Sequence, residues 1–279
     1  MRTKFKPSRF VAYIFLVILS IVWLAPTMWT LLSSFRSNVE LTISRNKMMP
    51  IEWVIENYIA VLSNSQNAPI LTWFSNSMFI SVSHTILVLF VSSLAAFAFT
   101  RLEFKGRHLI FWGLMATVMF PGIINFIPMF YIADLFGWVD HPLALIIPGI
   151  GGVFNVFLIR QFLLGIPREL DEAAYIDGAS EWAIYTKIII PLARPVLTIV
   201  ALFSFTGSWN DFLFPSVVIH SIEKLPLTPA LRLLQGTYSS YPGYLLTSVI
   251  VAMIPTIILF LMAQKHFIHG LVLSSGIKG

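Results

Sequence analysis

The chain of 279 residues is 57% hydrophobic and 11% charged, with a mean hydropathy of +0.82. A soluble domain carries roughly a quarter of its residues charged, so this composition excludes one and describes a polytopic membrane protein. The net charge is +5 and cysteine is absent; the first reflects short basic clusters beside apolar runs, not a nucleic-acid surface, and the second removes disulfides, thiolate metal sites and a cysteine nucleophile.

The N-terminal segment carries Arg2, Lys4, Lys6 and Arg9 and opens into an apolar run over 10–32. That run is too long for a signal-peptide core and lacks a small-residue cleavage site, so it reads as an uncleaved first span. In the polar segment that follows, Trp53, Val54, Tyr58 and Val61 recur at helical spacing. This predicts a short helix over 51–62, lying on the membrane surface or against a partner. The second span covers 78–100 and contains His84, expected to hydrogen-bond a neighbouring helix. Arg101, Lys105 and Arg107 form a short basic loop.

The third span, 109–133, contains Pro121, Gly122 and Pro128. Proline removes a backbone donor and clashes with the preceding turn, which predicts a kinked or broken helix whose freed carbonyls need cover from protein or a wet cavity. A loop with Asp134 and Asp140 leads to the fourth span, 143–164, softened by Pro148, Gly149, Gly151 and Gly152. A charged segment, 167–191, precedes the fifth span, 192–218. A polar loop over 219–241, a sixth span over 245–263 and a tail over 264–279 complete the chain.

Six spans put both termini on one side. If that side is cytoplasmic, cytoplasmic segments hold 13 of the 18 Lys and Arg residues, against Arg36, Arg45, Lys47, Lys224 and Arg232 outside. The positive-inside rule therefore puts both termini and 167–191 in the cytoplasm. The expected fold is an all-α integral membrane protein of one domain, 1–279, with a cytoplasmic helical segment between spans four and five.

That segment concentrates five acids, Glu169, Asp171, Glu172, Asp177 and Glu181. Pro167 suits the first position of a helix, and acids in the opening turns complement the macrodipole. Gly178 suits the left-handed residue that ends a helix. The helix so predicted, 167–177, puts Leu170, Ala173, Ala174 and Asp177 on one face, where small side chains allow another surface to come close. Ser180 can cap a second helix running to Ile190, with Pro191 and Pro195 marking the return to the membrane. By physics alone the segment is either a solvated linker or a docking element.

Read as EAA, three residues, Gly, nine residues, Ile, one residue, an apolar residue and Pro, the positions Glu172, Ala173, Ala174, Gly178, Ile188, Ile190 and Pro191 resemble the EAA loop of the membrane subunits of ATP-binding-cassette (ABC) importers. Ile190 stands where that pattern usually has Leu. The pairs Asn57–Tyr58 and Asn76–Ser77, the run Trp209, Asn210, Asp211 and Phe212, and the terminal SGIKG are similar to the carbohydrate-uptake branch of the family.

The resemblance covers essentially the whole chain. It implies a permease subunit of the bacterial cytoplasmic membrane that forms half of the pathway for a sugar or oligosaccharide. It also implies three partners: a homologous second permease subunit, a dimer of ABC ATPase subunits and an extracytoplasmic solute-binding protein. By this likeness Glu172 would make the ionic contact to the ATPase, Ala173 and Ala174 the close-packed face, and Asp177, Gly178 and Pro191 the turn and return of the coupling segment. Ser275, Gly276, Lys278 and Gly279 in the tail would reach between the ATPase subunits, and Gly236, Thr237 and Tyr238 would meet the binding protein. No catalytic residue, metal or cofactor is expected in this chain. ATP and Mg would belong to the ATPase, since no GxxxxGK[ST] phosphate loop occurs here.

In the fifth span Ser204, Gly207, Ser208 and Asp211 share one face, with Thr206 and Asn210 beside it. An ionisable residue in an apolar span marks a functional site by default, so Ser204, Ser208, Asn210 and Asp211 are candidates to line the pathway; packing of helix on helix explains the small residues equally well. Two alternatives stay open: a secondary transporter driven by an ion gradient through Asp211 and His84, and an ABC importer for a non-sugar solute. An intramembrane enzyme would need converging acids, a metal cluster or a Ser–His pair, and the remaining histidines, at 108, 141, 220, 266 and 269, fall in loops or the tail.

Overall fold

The computed structural model describes residues 7–44, 47–63, 69–237 and 241–276, and among them every regular element is helical. In chain order the helices are α1 (Pro7–Ser34), α2 (Asn38–Ile43), α3 (Glu56–Leu62), α4 (Ile70–Arg101), α5 (Arg107–Thr117), α6 (Phe126–Leu135), α7 (Leu143–Ile146) and α8 (Val153–Leu164). They continue as α9 (Glu169–Ile176), α10 (Glu181–Ile184), α11 (Ile190–Leu192), α12 (Arg194–Trp209), α13 (Leu213–Val218), α14 (Leu227–Thr237) and α15 (Pro242–Gly276).

Among the described residues four stretches are long and apolar enough to cross a membrane: Phe10–Ser34, Ile70–Arg101, Arg194–Val218 and Pro242–Gln264. A fifth candidate is the pair Arg107–Thr117 and Gly122–Leu135, bent by 94°. The bend falls at the expected proline: Pro121 takes an extended ψ of 126° and a 3₁₀ turn, Gly122–Asn125, follows it. Pro128 breaks nothing. It is the third residue of α6, where its missing N–H would have had no intrahelical partner. The predicted fourth span is two pieces, α7 and the 12-residue α8, separated by a turn in which Gly149 has φ of +82°. At 1.5 Å per residue α8 spans about 18 Å, short of the roughly 30 Å hydrocarbon core.

The chain forms two compact units, Met1–Leu71 with Leu231–Met253, and Thr72–Ala230 with Ile254–Gly279. In the first, Arg36 is fully buried and paired with Glu40 at 2.7 Å. Its guanidinium also donates to the carbonyls of Ser44 at 2.6 Å and Lys47 at 2.9 Å, so the turn after α1 closes around one cation. Burial pushes the Glu40 carboxyl up, but the bonds from Arg36 and the Ile51 N–H outweigh it and hold the group below its usual range.

The helix expected over 51–62 is shorter: only Glu56–Leu62 is helical, and of the expected face Trp53 stays exposed while Val61 is buried. Buried on the same side is Asn57. Its buried amide donates to the carbonyls of Ser34 at 3.0 Å and Arg36 at 2.8 Å, satisfying the orphan groups past the end of α1, so a polar residue sets which side of α3 faces inward. Tyr58 adds a hydroxyl bond to Ser34 at 2.8 Å.

The core of the second unit gathers Phe97 and Phe99 of α4, Phe111 of α5, Ile159 and Leu163 of α8, and Val196 and Val200 of α12. The loop expected over 219–241 contains a one-turn 3₁₀ helix, Ile222–Lys224, and the 11-residue α14. Leu227, Ala230 and Leu234 are buried at helical spacing, a pattern masked in the sequence by the polar residues around it.

Candidate functional site

α9 begins with Glu169, Asp171 and Glu172 in its first turn and ends as expected at Gly178, whose φ is +79°. The end is a Schellman motif: the Ala179 N–H donates to the Ala174 carbonyl at 2.9 Å and the Gly178 N–H to that of Tyr175 at 3.0 Å. Ser180 caps α10, its hydroxyl accepting from the Ala183 N–H at 3.3 Å. The Tyr175 hydroxyl donates to Glu181 at 2.6 Å and straps the turn; chiefly through that bond its pKa is pushed up to about 12.

After α10 the chain widens into a π turn, Tyr185–Ile189, in which the Ile190 N–H reaches back to the Tyr185 carbonyl. A regular turn would drive the Pro191 ring into the carbonyl four residues earlier; the wider one relieves that clash. Tyr185 anchors the turn to α4 by a 2.8 Å bond between its hydroxyl and Ser93 and by an edge contact with Phe97.

α9 has two unlike sides. Asp171 is buried and pairs with Arg101, the last residue of α4, at 2.9 Å. Arg101 also donates to the Ile166 carbonyl at 3.0 Å, and Arg168 donates to that of Thr100 at 3.1 Å, so two cations satisfy the carboxyl end of α4 and the chain entering α9. Burial pushes the Asp171 carboxyl above its usual range, and the charges of Arg101 and Arg168 oppose that shift. The other side shows Glu169, Glu172, Ala173 and Ile176, the last 87% exposed. The predicted face of Leu170, Ala173, Ala174 and Asp177 is thus divided: Ala174 packs toward the core and the other three are exposed.

In the candidate span Arg194–Val218, α12 ends at buried Trp209, which stacks on Phe205 at 5.5 Å and meets Phe74 edge-on. The chain leaves helical geometry through Asn210, Asp211 and Phe212 before α13. This break directs Asp211 into a cavity of about 190 Å³ that is lined also by Ser77, Ser81, His84, Gly207 and Ser208. Of the predicted lining residues, Ser208 and Asp211 reach this cavity. Ser204 is buried elsewhere, and Asn210 turns back to bond the Thr206 carbonyl at 2.9 Å. His84 makes the expected helix contact, its Nδ1 lying 2.8 Å from the Ile146 carbonyl. A carbonyl only accepts, so this bond requires a proton on Nδ1.

Two features escaped sequence reasoning. Asp140, at φ of +59°, accepts from the backbone N–H groups of His220 at 3.0 Å and Ser221 at 2.8 Å, from the Ser221 hydroxyl at 2.6 Å and from Lys224 at 2.8 Å. Chiefly through Lys224, its carboxyl is held well below the usual range. The second is the bonding at the start of α4. Trp73 donates to the Ile222 carbonyl at 2.7 Å, Asn76 to that of Glu223 at 2.7 Å, and Ser77 accepts from the Leu227 N–H at 2.7 Å.

Gly236 is exposed in α14, and Thr237 closes that helix with its side chain outside the described residues. Tyr238, Lys278 and Gly279 lie outside the described residues, as do the side chains of Ser275 at the end of α15 and its neighbour Gly276.

A family model described as binding-protein-dependent transport system inner membrane component matches residues 88–271. Over 91% of each chain, the sequence is 34% identical to an arabinooligosaccharides transport system permease protein of Halalkalibacterium halodurans. It is 30% identical to a diacetylchitobiose uptake system permease protein of Streptomyces coelicolor, over 92% of this chain and 85% of that one. A trehalose/maltose transport system permease protein of Thermococcus litoralis is 31% identical over 94% of each. A crystal structure of a bacterial ABC transporter involved in import of the acidic polysaccharide alginate contains a chain of the same fold, with a TM-score of 0.81 at 24% identity over 95% of this chain and 99% of that one.

Proposed function

The chain belongs to the family of binding-protein-dependent transport system inner membrane components, and we propose that it is a permease subunit of an ATP-driven importer of a sugar or oligosaccharide in the bacterial cytoplasmic membrane. The observation that carries this reading is similarity over more than nine-tenths of the chain to permeases named for arabinooligosaccharides, diacetylchitobiose and trehalose or maltose.

In this reading the broken segments 107–135 and 143–164 each count as one span, so the single domain crosses the membrane six times with both termini in the cytoplasm. The exposed side of α9, with Glu172 and Ala173, docks on an ABC ATPase. Ala174, Asp177, Gly178 and Pro191 shape that coupling segment. The tail residues Ser275, Gly276, Lys278 and Gly279 also meet the ATPase dimer, which holds the ATP and Mg. Gly236, Thr237 and Tyr238 meet an extracytoplasmic binding protein. A homologous second permease subunit supplies the other half of the pathway, and Ser208 and Asp211 line this half. Ser204 and Asn210 lie off the cavity, so their part in it gains no support. The mechanism is mechanical: nucleotide closes the ATPase, α9 follows as a rigid body, and the spans switch between two arrangements.

The test is purification of the tagged chain from native membranes in mild detergent, followed by reconstitution with whatever accompanies it. A second permease, an ATPase and ATP-dependent uptake of labelled oligosaccharide are expected. Uptake by the chain alone without ATP would replace this reading with a secondary transporter.

A further inference from the structure

α4 differs from every other candidate span. It runs 32 residues without a proline, a glycine or a break, about 48 Å at 1.5 Å per residue. Phe10–Ser34 contains Pro26 and Pro242–Gln264 contains Pro255, while Arg107–Leu135 is broken at Pro121 and Arg194–Val218 at Asn210 to Phe212. Prolines and breaks are where helices bend. Of these spans α4 is therefore the stiffest.

Its two ends hold the two segments that must act together. At one end stand the buried pair Arg101–Asp171 at 2.9 Å and the Arg168 bond to the Thr100 carbonyl, both fixing α9. At the other, Trp73, Asn76 and Ser77 hold the backbone of Ile222, Glu223, Leu225 and Leu227, on the opposite side of the membrane. The anchoring groups are buried, with Trp73 1%, Ser77 2% and Asp171 6% exposed. A buried ion pair whose charges have lost their water tolerates little separation, because parting it leaves each charge uncompensated. The buried bonds at both ends and the unbroken helix between them form one continuous path from α9 through Arg101 and α4 to Ser77.

We propose that α4 is the rod that carries the movement of α9 to the outer loop 222–227, with Arg101–Asp171 and Asn76–Ser77 as its two joints. Asp171 and Arg101 are positioning residues in this scheme. Glu172 meets the ATPase, and its neighbour Asp171, on the inner side of the same helix, passes the motion on. Linkage makes the rod work in both directions: an extracytoplasmic protein that shifts 222–227 changes the affinity of the coupling segment for its nucleotide-bound partner by the same factor. The inference rests on the importer reading for what moves α9.

The test uses the complete complex in lipid nanodiscs and follows backbone amide exchange at 222–227, without nucleotide and after trapping with ATP and vanadate. The native complex should show a change of about tenfold between the two states. Asp171→Asn and Arg101→Gln should abolish that change while α9 still responds to trapping, and the exchanged pair Arg101→Asp with Asp171→Arg should restore it. Asn76→Ala combined with Ser77→Ala, which removes three of the four bonds at the far joint, should likewise leave α9 responsive and 222–227 silent. A native-sized response at 222–227 in Asp171→Asn overturns the proposal, as does a complex with Asn76→Ala and Ser77→Ala that responds in full. The readout is separate from transport. Native uptake of sugar with no response at 222–227 removes the rod and leaves the importer; a response without sugar uptake does the reverse.

Discussion

A β-carbon on Gly243 would lie 2.5 Å from the Oδ1 of Asn57. The Gly243 N–H donates to Asn38 at 2.9 Å, and the Asn38 amide in turn donates to Asn57 at 3.1 Å, so three residues far apart in sequence close on one another. Gly243→Ala should therefore dislodge the Asn57 amide from the carbonyls of Ser34 and Arg36 and cost about 1–3 kcal/mol, the range for overpacking. A thermal-unfolding series in detergent checks this. The double variant with Asn57→Ala should lose less than the two single losses added together, because both act on the same contact.

Glu172→Lys should reduce uptake and weaken co-purification of the ATPase, while the melting temperature of the chain stays near that of the native protein, since Glu172 is exposed. Reversing one partner of a desolvated charge pair typically costs 2 kcal/mol or more, roughly 30-fold in affinity. Uptake at the native rate would end the docking role of this residue.

Gly178 has no atom near enough to meet a β-carbon, so its substitution tests backbone conformation alone. At φ of +79°, Gly178→Ala should cost about 1–2 kcal/mol in the stability of the turn, Gly178→Asn less, and the β-branched Gly178→Val more. Retention of ATPase binding should follow the order Asn, Ala, Val. Any other order would show that volume, not the left-handed conformation, matters there.

The depressed Asp140 carboxyl predicts acid sensitivity of the loop around His220 and Ser221. A group whose folded pKa lies below its unfolded value stabilises the fold above that unfolded value, near 3.9, and loses the contribution as pH falls through the folded one. Protection of the His220 and Ser221 amides should hold down to about pH 4 and decline below it. In Asp140→Asn the protection should be weak at every pH, with no acid step.

Asp211→Leu should lower uptake while leaving assembly with the ATPase unchanged, because the side chain faces the cavity it shares with Ser77, His84 and Ser208, and no residue of α9 lines that cavity. Uptake measured at several substrate concentrations separates a lost binding contact, seen in KM, from a blocked switch, seen in the maximal rate. Equal rates at all concentrations would leave this carboxylate outside the pathway.

What was legible in the sequence was local. Gly178, Ser180 and Pro121 each act on backbone within one turn of themselves, and the structure ends, starts and breaks helices at those residues. What was not legible joins distant residues: Arg101 with Asp171, Asp140 with Ser221 and Lys224, Asn57 with the end of α1. A charged residue in a loop looks the same whether water or a buried partner satisfies it. The run over 51–62 misled only in its start: 51–55 is not helical, while Val61 is buried and Tyr58 half-buried, as the spacing implies, on the side that the Asn57 amide also faces.

The wide turn at Tyr185–Ile189 holds one residue more than a regular turn would. Each residue of helix corresponds to about 100° of rotation, so this single extra position sets the rotational phase of everything that follows it toward α12. Deleting one residue here would tighten the turn and swing Ser208 and Asp211 by about a quarter-turn away from the cavity they share with His84. Which residues of Arg194–Val218 look inward is therefore decided some twenty positions earlier, outside the span itself.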